Sequence, residues 1–172
     1  MNLAEVREQA INIEMLSALD FIEKTISDQL YFKLIYNMSK IIIAAGPVIV
    51  EGDKVLLVKH GKDNFWKFCG GKAEDHETDL KAVAIREAKE EMGLQIEISA
   101  DAPYFFYTEK EVDGVNVSVI LVHFLARRNG EIIPGQDIGD WRWLDISDLD
   151  ENNLAPNIKP TLMYFGFYSN KE

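Results

Sequence analysis

The chain has 172 residues, 47% of them hydrophobic, and a formal net charge of −11. This is enough for one domain with a core and an extra element, while the acidic balance excludes a sequence-independent grip on DNA or RNA polymers. A single cysteine excludes an intramolecular disulfide, no apolar run approaches the roughly 20 residues of a membrane span, and the polar start (Asn2, Glu5, Arg7, Glu8) has no signal-peptide pattern. The expectation is a cytoplasmic protein without a membrane partner. Small nucleotides stay open to it, because divalent cations neutralise phosphates locally.

Residues 3 to about 37 are expected to be helical. Leu3, Val6, Ala10, Ile13, Leu16, Leu19, Ile22, Ile26 and Leu30 step by threes and fours without Gly or Pro. The span exceeds a typical globular helix, so one helix and two are equally compatible. Its apolar stripe must be buried, either in the chain's own core or in a homodimer interface. Residues 1–39 are thus an expected N-terminal helical extension, and residues 40–172 the main domain.

From Lys40 the texture turns to β. Ile41–Val50 and Val55–His60 flank the turn Glu51-Gly52-Asp53 and predict a hairpin. A loop at Asp63–Phe68 leads to Gly70-Gly71, and Asp79–Met92 reads as a helix with Thr78 or Asp79 as its N-cap. Ile96–Ile98 is a short expected strand. Tyr104–Val112 and Val115–Ala126 flank Asp113-Gly114, a strong hairpin signal. Asn129–Gly139 is an expected loop, Trp141–Leu144 a last strand, Ser147 the cap of a short turn, and Thr161–Tyr168 a final helix. Strands around a central helix predict an α/β sandwich with a mixed sheet.

The helix at 79–92 carries an acidic face. Glu87 and Glu91 are four residues apart with Glu90 between them, so all three share one side. Like charges at that spacing destabilise a helix by roughly 0.2–0.5 kcal/mol per pair, and acids near a helix C-terminus also oppose its dipole. Ile85, Ala88 and Met92 form an apolar stripe beside them. Gly93 sits where a left-handed residue ends a helix, with Leu94 beyond it. A solvated face is the plain alternative. A cation site is the functional one, because hard oxygen ligands suit Mg²⁺ or Mn²⁺, and such ions serve phosphate chemistry.

The run from Gly71 to Leu94 resembles the Nudix box: glycine, five residues, glutamate, seven residues, then Arg-Glu-apolar-x-Glu-Glu-x-Gly-apolar. Gly71, Glu77, Arg86, Glu87, Ala88, Glu90, Glu91, Gly93 and Leu94 match in type, and Trp66-Lys67-Phe68 is similar to the approach to that box. Three positions depart from it. Eight residues separate Glu77 from Arg86, Cys69 stands where proline is usual, and His76 stands where glycine is common. All three lie ahead of the helical half.

The resemblance covers roughly residues 40–168 and implies a Nudix-type α/β/α sandwich. It implies Mg²⁺- or Mn²⁺-dependent hydrolysis of a nucleoside diphosphate linked to another group. It implies metal binding by Glu87 and Glu91 with Glu90 close by, part of the shell from the Gly70 carbonyl, and Arg86 orienting the glutamates. Counting back six residues from Trp143 reaches Asp137, an expected extra ligand or general base. Asp140, Glu109 and Glu111 are its rivals. Glu90, Glu91, Asp137 and Arg86 are the expected catalytic set. Lys59, Phe68, Lys72 and Asn157 are the candidate substrate-binding residues. Trp66, Tyr107 and Trp141 are either pocket walls or core. His60, His76 and His123 have no metal-site spacing, and His123 reads as a structural histidine.

A nucleoside triphosphate is the leading substrate by elimination, in the MutT-like manner. The proline about sixteen residues beyond the box that marks ADP-ribose hydrolases is missing, since Pro103 comes too early. An ADP-ribose or nucleotide-sugar pyrophosphatase and a non-catalytic nucleotide-sensing module are the alternatives.

Overall fold

The computed structural model describes residues 41–100, 102–112 and 114–169. The expected helices at 3–37, the 1–39 extension and the homodimer they would serve lie outside the described residues.

Residues 41–111 and 117–169 pack as one compact unit. The strands among the described residues are β1 (Ile41–Glu51), β2 (Lys54–His60), β3 (Gly71–Lys72), β4 (Gln95–Ile98), β5 (Tyr104–Val112), β6 (Val115–Asn129) and β7 (Ile138–Asp145). Two helices accompany them, α1 (Leu80–Met92) and α2 (Ile158–Tyr164), with a short 3-10 turn at Ile146–Glu151. The sheet order is β4-β6-β1-β2-β7, with β3 paired to β1 and β5 to β6. It is mixed because β1 runs parallel to β6, from Ile41 opposite Ser118 to Ile49 opposite Ala126. The β1–β2 hairpin is antiparallel, with Val50 opposite Val55.

Alternation along the strands creates two apolar faces. Val48, Val55 and Leu57 pack with Leu149, Ile158 and Leu162 beneath α2 and the 3-10 turn. Their neighbours Ile49, Leu56 and Val58 point the other way, against Ala88 and Met92 of α1. Ala45, Val122 and Phe124 meet Val83 and Ala84 of the same helix. Burying a side chain of this size contributes roughly 1.5–3 kcal/mol, so these faces hold the helices to the sheet. The expected α/β/α sandwich with a mixed sheet is the observed fold.

Local signals set α1. Asp79 is its N-cap, accepting from the N–H of Lys81 at 2.9 Å and of Ala82 at 3.4 Å. Gly93 ends it at φ +65, and the Leu94 N–H donates to the Ala88 carbonyl at 3.1 Å. Several boundaries differ from expectation. Strand β7 starts at Ile138, three residues before Trp141, because its first residues complete the ladder with β2, where His60 pairs with Ile138. Helix α2 spans Ile158–Tyr164 and contains Pro160 in its first turn, where the missing N–H costs no helical bond. Strand β3 was not anticipated.

Candidate active site

The bend at Gly70-Gly71 positions the site. A Cβ on Gly70, at φ +142, would lie 2.6 Å from the Ala45 carbonyl oxygen. Only glycine lets the bend press onto β1 in that conformation. A Cβ on Gly71 would lie 2.5 Å from the carboxylate of Glu87, so this glycine makes room for that side chain. β3 then pairs Gly71 with Ala45 and Lys72 with Ala44. This fixes the bend across from the C-terminal turns of α1.

Arg86 gathers the acids. Its Nε donates to Glu77 Oε1 at 2.8 Å and its Nη2 to Glu77 Oε2 at 3.0 Å. Its Nη1 donates to Glu87 Oε1 at 2.7 Å and to Glu90 Oε2 at 2.9 Å, and Nη2 also reaches the Lys72 carbonyl at 3.4 Å. A planar five-donor fork is suited to this multiple task. Ahead of the helix the Glu77 N–H donates to the Glu74 carbonyl at 2.9 Å, and the Glu74 N–H returns to Glu77 Oε2 at 2.8 Å. The Arg86 fork and that N–H hold the Glu77 carboxyl down to about 2. Glu87 is buried, 8% exposed. Burial pushes its carboxyl above the ordinary range, and Arg86 works against that push.

Glu91 is held from both ends. The Gly70 N–H donates to Oε2 at 2.9 Å, and Oε1 meets His60 Nε2. His60 Nδ1 is buried and has no partner among the described residues. Sequence reasoning gave His60 no role. Its only signal was its place at the end of β2, because the approach to Glu91 depends on how the sheet packs on α1. Cys69 is buried with Sγ 3.8 Å from the Glu87 carbonyl. Burial and the nearby Glu91 and Glu87 push its thiol well above the usual value, so it packs as a neutral group.

Asp137 arrives on a tethered loop. The Ile133 N–H donates to the Met92 carbonyl at 2.8 Å, the Gly135 N–H to the Glu91 carbonyl at 2.7 Å, and the Gly61 N–H to the Asp137 carbonyl at 3.0 Å. The first two bonds use orphan carbonyls at the end of α1, and the third ties the loop to the end of β2. Glu87, Glu90, Glu91, Gln136 and Asp137 thereby line one polar cleft of about 130 Å³. The rivals lie elsewhere: Asp140 accepts from the Trp141 N–H at 2.9 Å and from Arg142 at 3.2 Å, and Glu109 accepts from Tyr107 at 2.7 Å on β5.

Across the Gly70 bend lies a second, apolar cavity of about 370 Å³, lined in part by Phe68, Lys72, Phe106, Lys110, His123 and Asn157. Three of the four candidate substrate residues, Phe68, Lys72 and Asn157, therefore share one cavity. Lys59 is not among its lining residues; its Nζ stands 4.5 Å above the Trp66 ring. Trp66 is core and Trp141 packs beside the α1 cluster, whereas Tyr107 is 60% exposed. Lys110 and Thr108 also line this cavity, and sequence reasoning passed over both. They alternate with Phe106 on one face of β5, a period-2 signal that marks a shared wall. Asn157 Nδ2 lies 2.8 Å from His123 Nε2.

Among the described residues, no three His, Cys, Asp or Glu side chains stand ready-arranged around a metal position. The donor set nonetheless fits a hard divalent cation. Four carboxylates border one small cleft, oxygen is their only donor type, and Arg86 and His60 now occupy oxygens that a cation would compete for. Among the described residues, no helix is long and apolar enough to cross a membrane.

Comparisons with known proteins agree with this geometry. A NUDIX domain family model matches residues 40–165. The uncharacterized Nudix hydrolase YvcI of Bacillus subtilis (strain 168) is 29% identical over 110 residues, which cover 63% of this chain and 69% of that protein. The 8-oxo-dGTP diphosphatase of Proteus vulgaris is 38% identical over 64 residues, 35% of this chain and 56% of that protein, so the match spans little more than half of the relative. The crystal structure of a MutT NUDIX hydrolase from Burkholderia pseudomallei superposes with a TM-score of 0.59 at 20% identity, covering 73% of this chain and 98% of the other. The family matched generally uses divalent metals and acts on small nucleotide substrates. The family model covers most of the chain and embraces the Gly70 bend, α1 and the Asp137 loop alike, and the chain belongs to the Nudix family of pyrophosphohydrolases.

Proposed function

We propose that this cytoplasmic enzyme hydrolyses a diphosphate bond of a nucleoside triphosphate with Mg²⁺ or Mn²⁺ as cofactor. The observation that carries the reading is the convergence of Glu87, Glu90, Glu91 and Asp137 on one polar cleft, separated from an apolar cavity by the Gly70-Gly71 bend. An acidic cleft beside an apolar cavity suits a ligand with a charged phosphate chain and a flat ring.

Glu87, Glu90, Glu91, Asp137 and the Gly70 carbonyl would hold the cation. When bound, the cation neutralises phosphate charge and makes water more acidic. The chain's residues supply the rest. Arg86 fixes the directions of Glu87 and Glu90, and the Gly70 N–H fixes Glu91. Water attacks phosphorus, the bridging P–O bond breaks, and Asp137 takes the proton. Phe68 walls the cavity, Lys72 meets phosphate at its rim, and Asn157 meets the base. Lys59 contributes charge from β2.

The relative from Proteus vulgaris, named an 8-oxo-dGTP diphosphatase, supports a nucleoside triphosphate over ADP-ribose or a nucleotide sugar. The test is release of nucleoside mono- or diphosphate product, separated by chromatography, from nucleoside triphosphates, ADP-ribose and nucleotide sugars with Mg²⁺ or Mn²⁺. Metal-dependent release from a triphosphate, above the other two classes, is expected. Preference for ADP-ribose or a nucleotide sugar would overturn the substrate reading, and release from none would overturn the catalytic one.

A further inference from the structure

The apolar cavity contains one buried polar pair that the hydrolytic chemistry does not use. His123 on β6 and Asn157 just before α2 are 5% and 4% exposed, and both line the cavity. Asn157 Nδ2 lies 2.8 Å from His123 Nε2. An amide nitrogen can only donate, so Nε2 accepts and the ring is neutral with its proton on Nδ1. Burial agrees with this, holding His123 down to about 4. Nδ1 has no partner among the described residues, and the Phe68 ring packs against the imidazole with centroids 4.9 Å apart.

The backbone of Asn157 is anchored separately. Its carbonyl accepts from the Thr161 N–H at 3.1 Å and the Thr161 hydroxyl at 2.6 Å. Those bonds fix the position of the residue but not the sense of its amide. The two ends of a side-chain amide are nearly the same shape and exchange by half a turn. A neutral acceptor beside Nδ2 removes that ambiguity and leaves Oδ1 as the end open to the cavity.

We propose that His123 is a positioning residue that locks the Asn157 amide with Oδ1 toward the cavity, so that the cavity selects flat heterocycles presenting an N–H or amino donor. This rests on the reading of Asn157 as a substrate contact. Phe68 and Phe106 supply apolar walls to such a ring. Ring systems without a donor leave Oδ1 desolvated and unpaired, which weakens their binding.

Binding rather than turnover tests it. Calorimetry in metal-free buffer compares AMP and GMP with purine riboside 5′-monophosphate, whose ring has no donor, on the full chain and its His123→Phe and His123→Gln variants. The full chain is expected to bind AMP or GMP about tenfold tighter than the donor-free probe, the worth of one hydrogen bond. His123→Phe should bring that ratio to within about twofold. His123→Gln, whose own amide can offer Asn157 either an acceptor or a donor, should give a ratio between those of the full chain and His123→Phe. A ratio unchanged in His123→Phe overturns the proposal, as does a full chain that binds all three probes alike or none. Independently of any variant, ¹⁵N spectra of the imidazole should show the proton on Nδ1 of His123 between pH 6 and 8, and a proton on Nε2 would overturn the assignment. Neither readout uses hydrolysis. An inactive chain that still discriminates the probes would defeat the catalytic reading and leave this one standing.

Discussion

Arg86 grips Glu77 with two parallel hydrogen bonds, Nε to Oε1 at 2.8 Å and Nη2 to Oε2 at 3.0 Å. The same guanidinium reaches Glu87 and Glu90. Glu77 therefore acts through Arg86. It locks the fork that in turn aims two glutamates of the cleft. Lysine cannot reproduce that geometry. Arg86→Lys should lower turnover roughly 10–100-fold and weaken Mn²⁺ binding by a similar factor, the usual effect of losing such support. Steady-state kinetics with a Mn²⁺ titration checks this.

The Glu77–Arg86 pair also has a pH signature. Glu77 titrates at about 2 in the folded chain against an ordinary 4.5. The sign follows from that depression. The pair's contribution is complete above the ordinary value and is lost as pH falls through 4.5 toward 2. Folded Glu77→Gln should therefore show a shallower acid-unfolding curve than the parent over that interval, measured by circular dichroism.

Gly71 makes a different prediction. An added methyl would meet the Glu87 carboxylate, the far end of a flexible side chain, and not backbone. Gly71→Ala should therefore fold with a stability within about 1 kcal/mol of the parent. The displaced carboxylate should nevertheless cost about 100-fold in turnover, as misplacement by an ångström does. Urea unfolding together with kinetics separates the two effects.

His123 governs stability in mild acid. It is neutral when folded, at about 4, against 6.5 for the ordinary group. Between those values the unfolded chain binds the extra proton, so stability falls as pH drops from 6.5 toward 4. The full effect is on the order of 3 kcal/mol. His123→Phe should flatten this part of the urea-midpoint profile.

Much of the candidate site was legible because its signals are local. Asp79, Gly93 and the spacing of Glu87, Glu90 and Glu91 lie within one helix, and a helix fixes its own faces. The continuous apolar run Val55 to Val58, buried on both faces of the sheet, similarly announced β2. Non-local pairing was not legible. The two residues of β3 become a strand only because Ala44 and Ala45 lie beside them. The final helix was expected from Thr161 but starts at Ile158, with Pro160 tolerated in its first turn. His60 and His123 escaped for the same reason as β3. Their partners are Glu91, 31 positions away, and Asn157, 34 positions away.

The most direct test of the account is Glu91→Gln, which keeps the shape and removes the charge of a residue bordering the cleft. Mn²⁺ affinity by calorimetry and metal-dependent triphosphate hydrolysis are measured together with the unfolding midpoint. The account predicts a loss of at least about tenfold in affinity and about 100-fold in turnover, with the midpoint near the parent value. Unchanged Mn²⁺ affinity and unchanged turnover in a folded variant would contradict it.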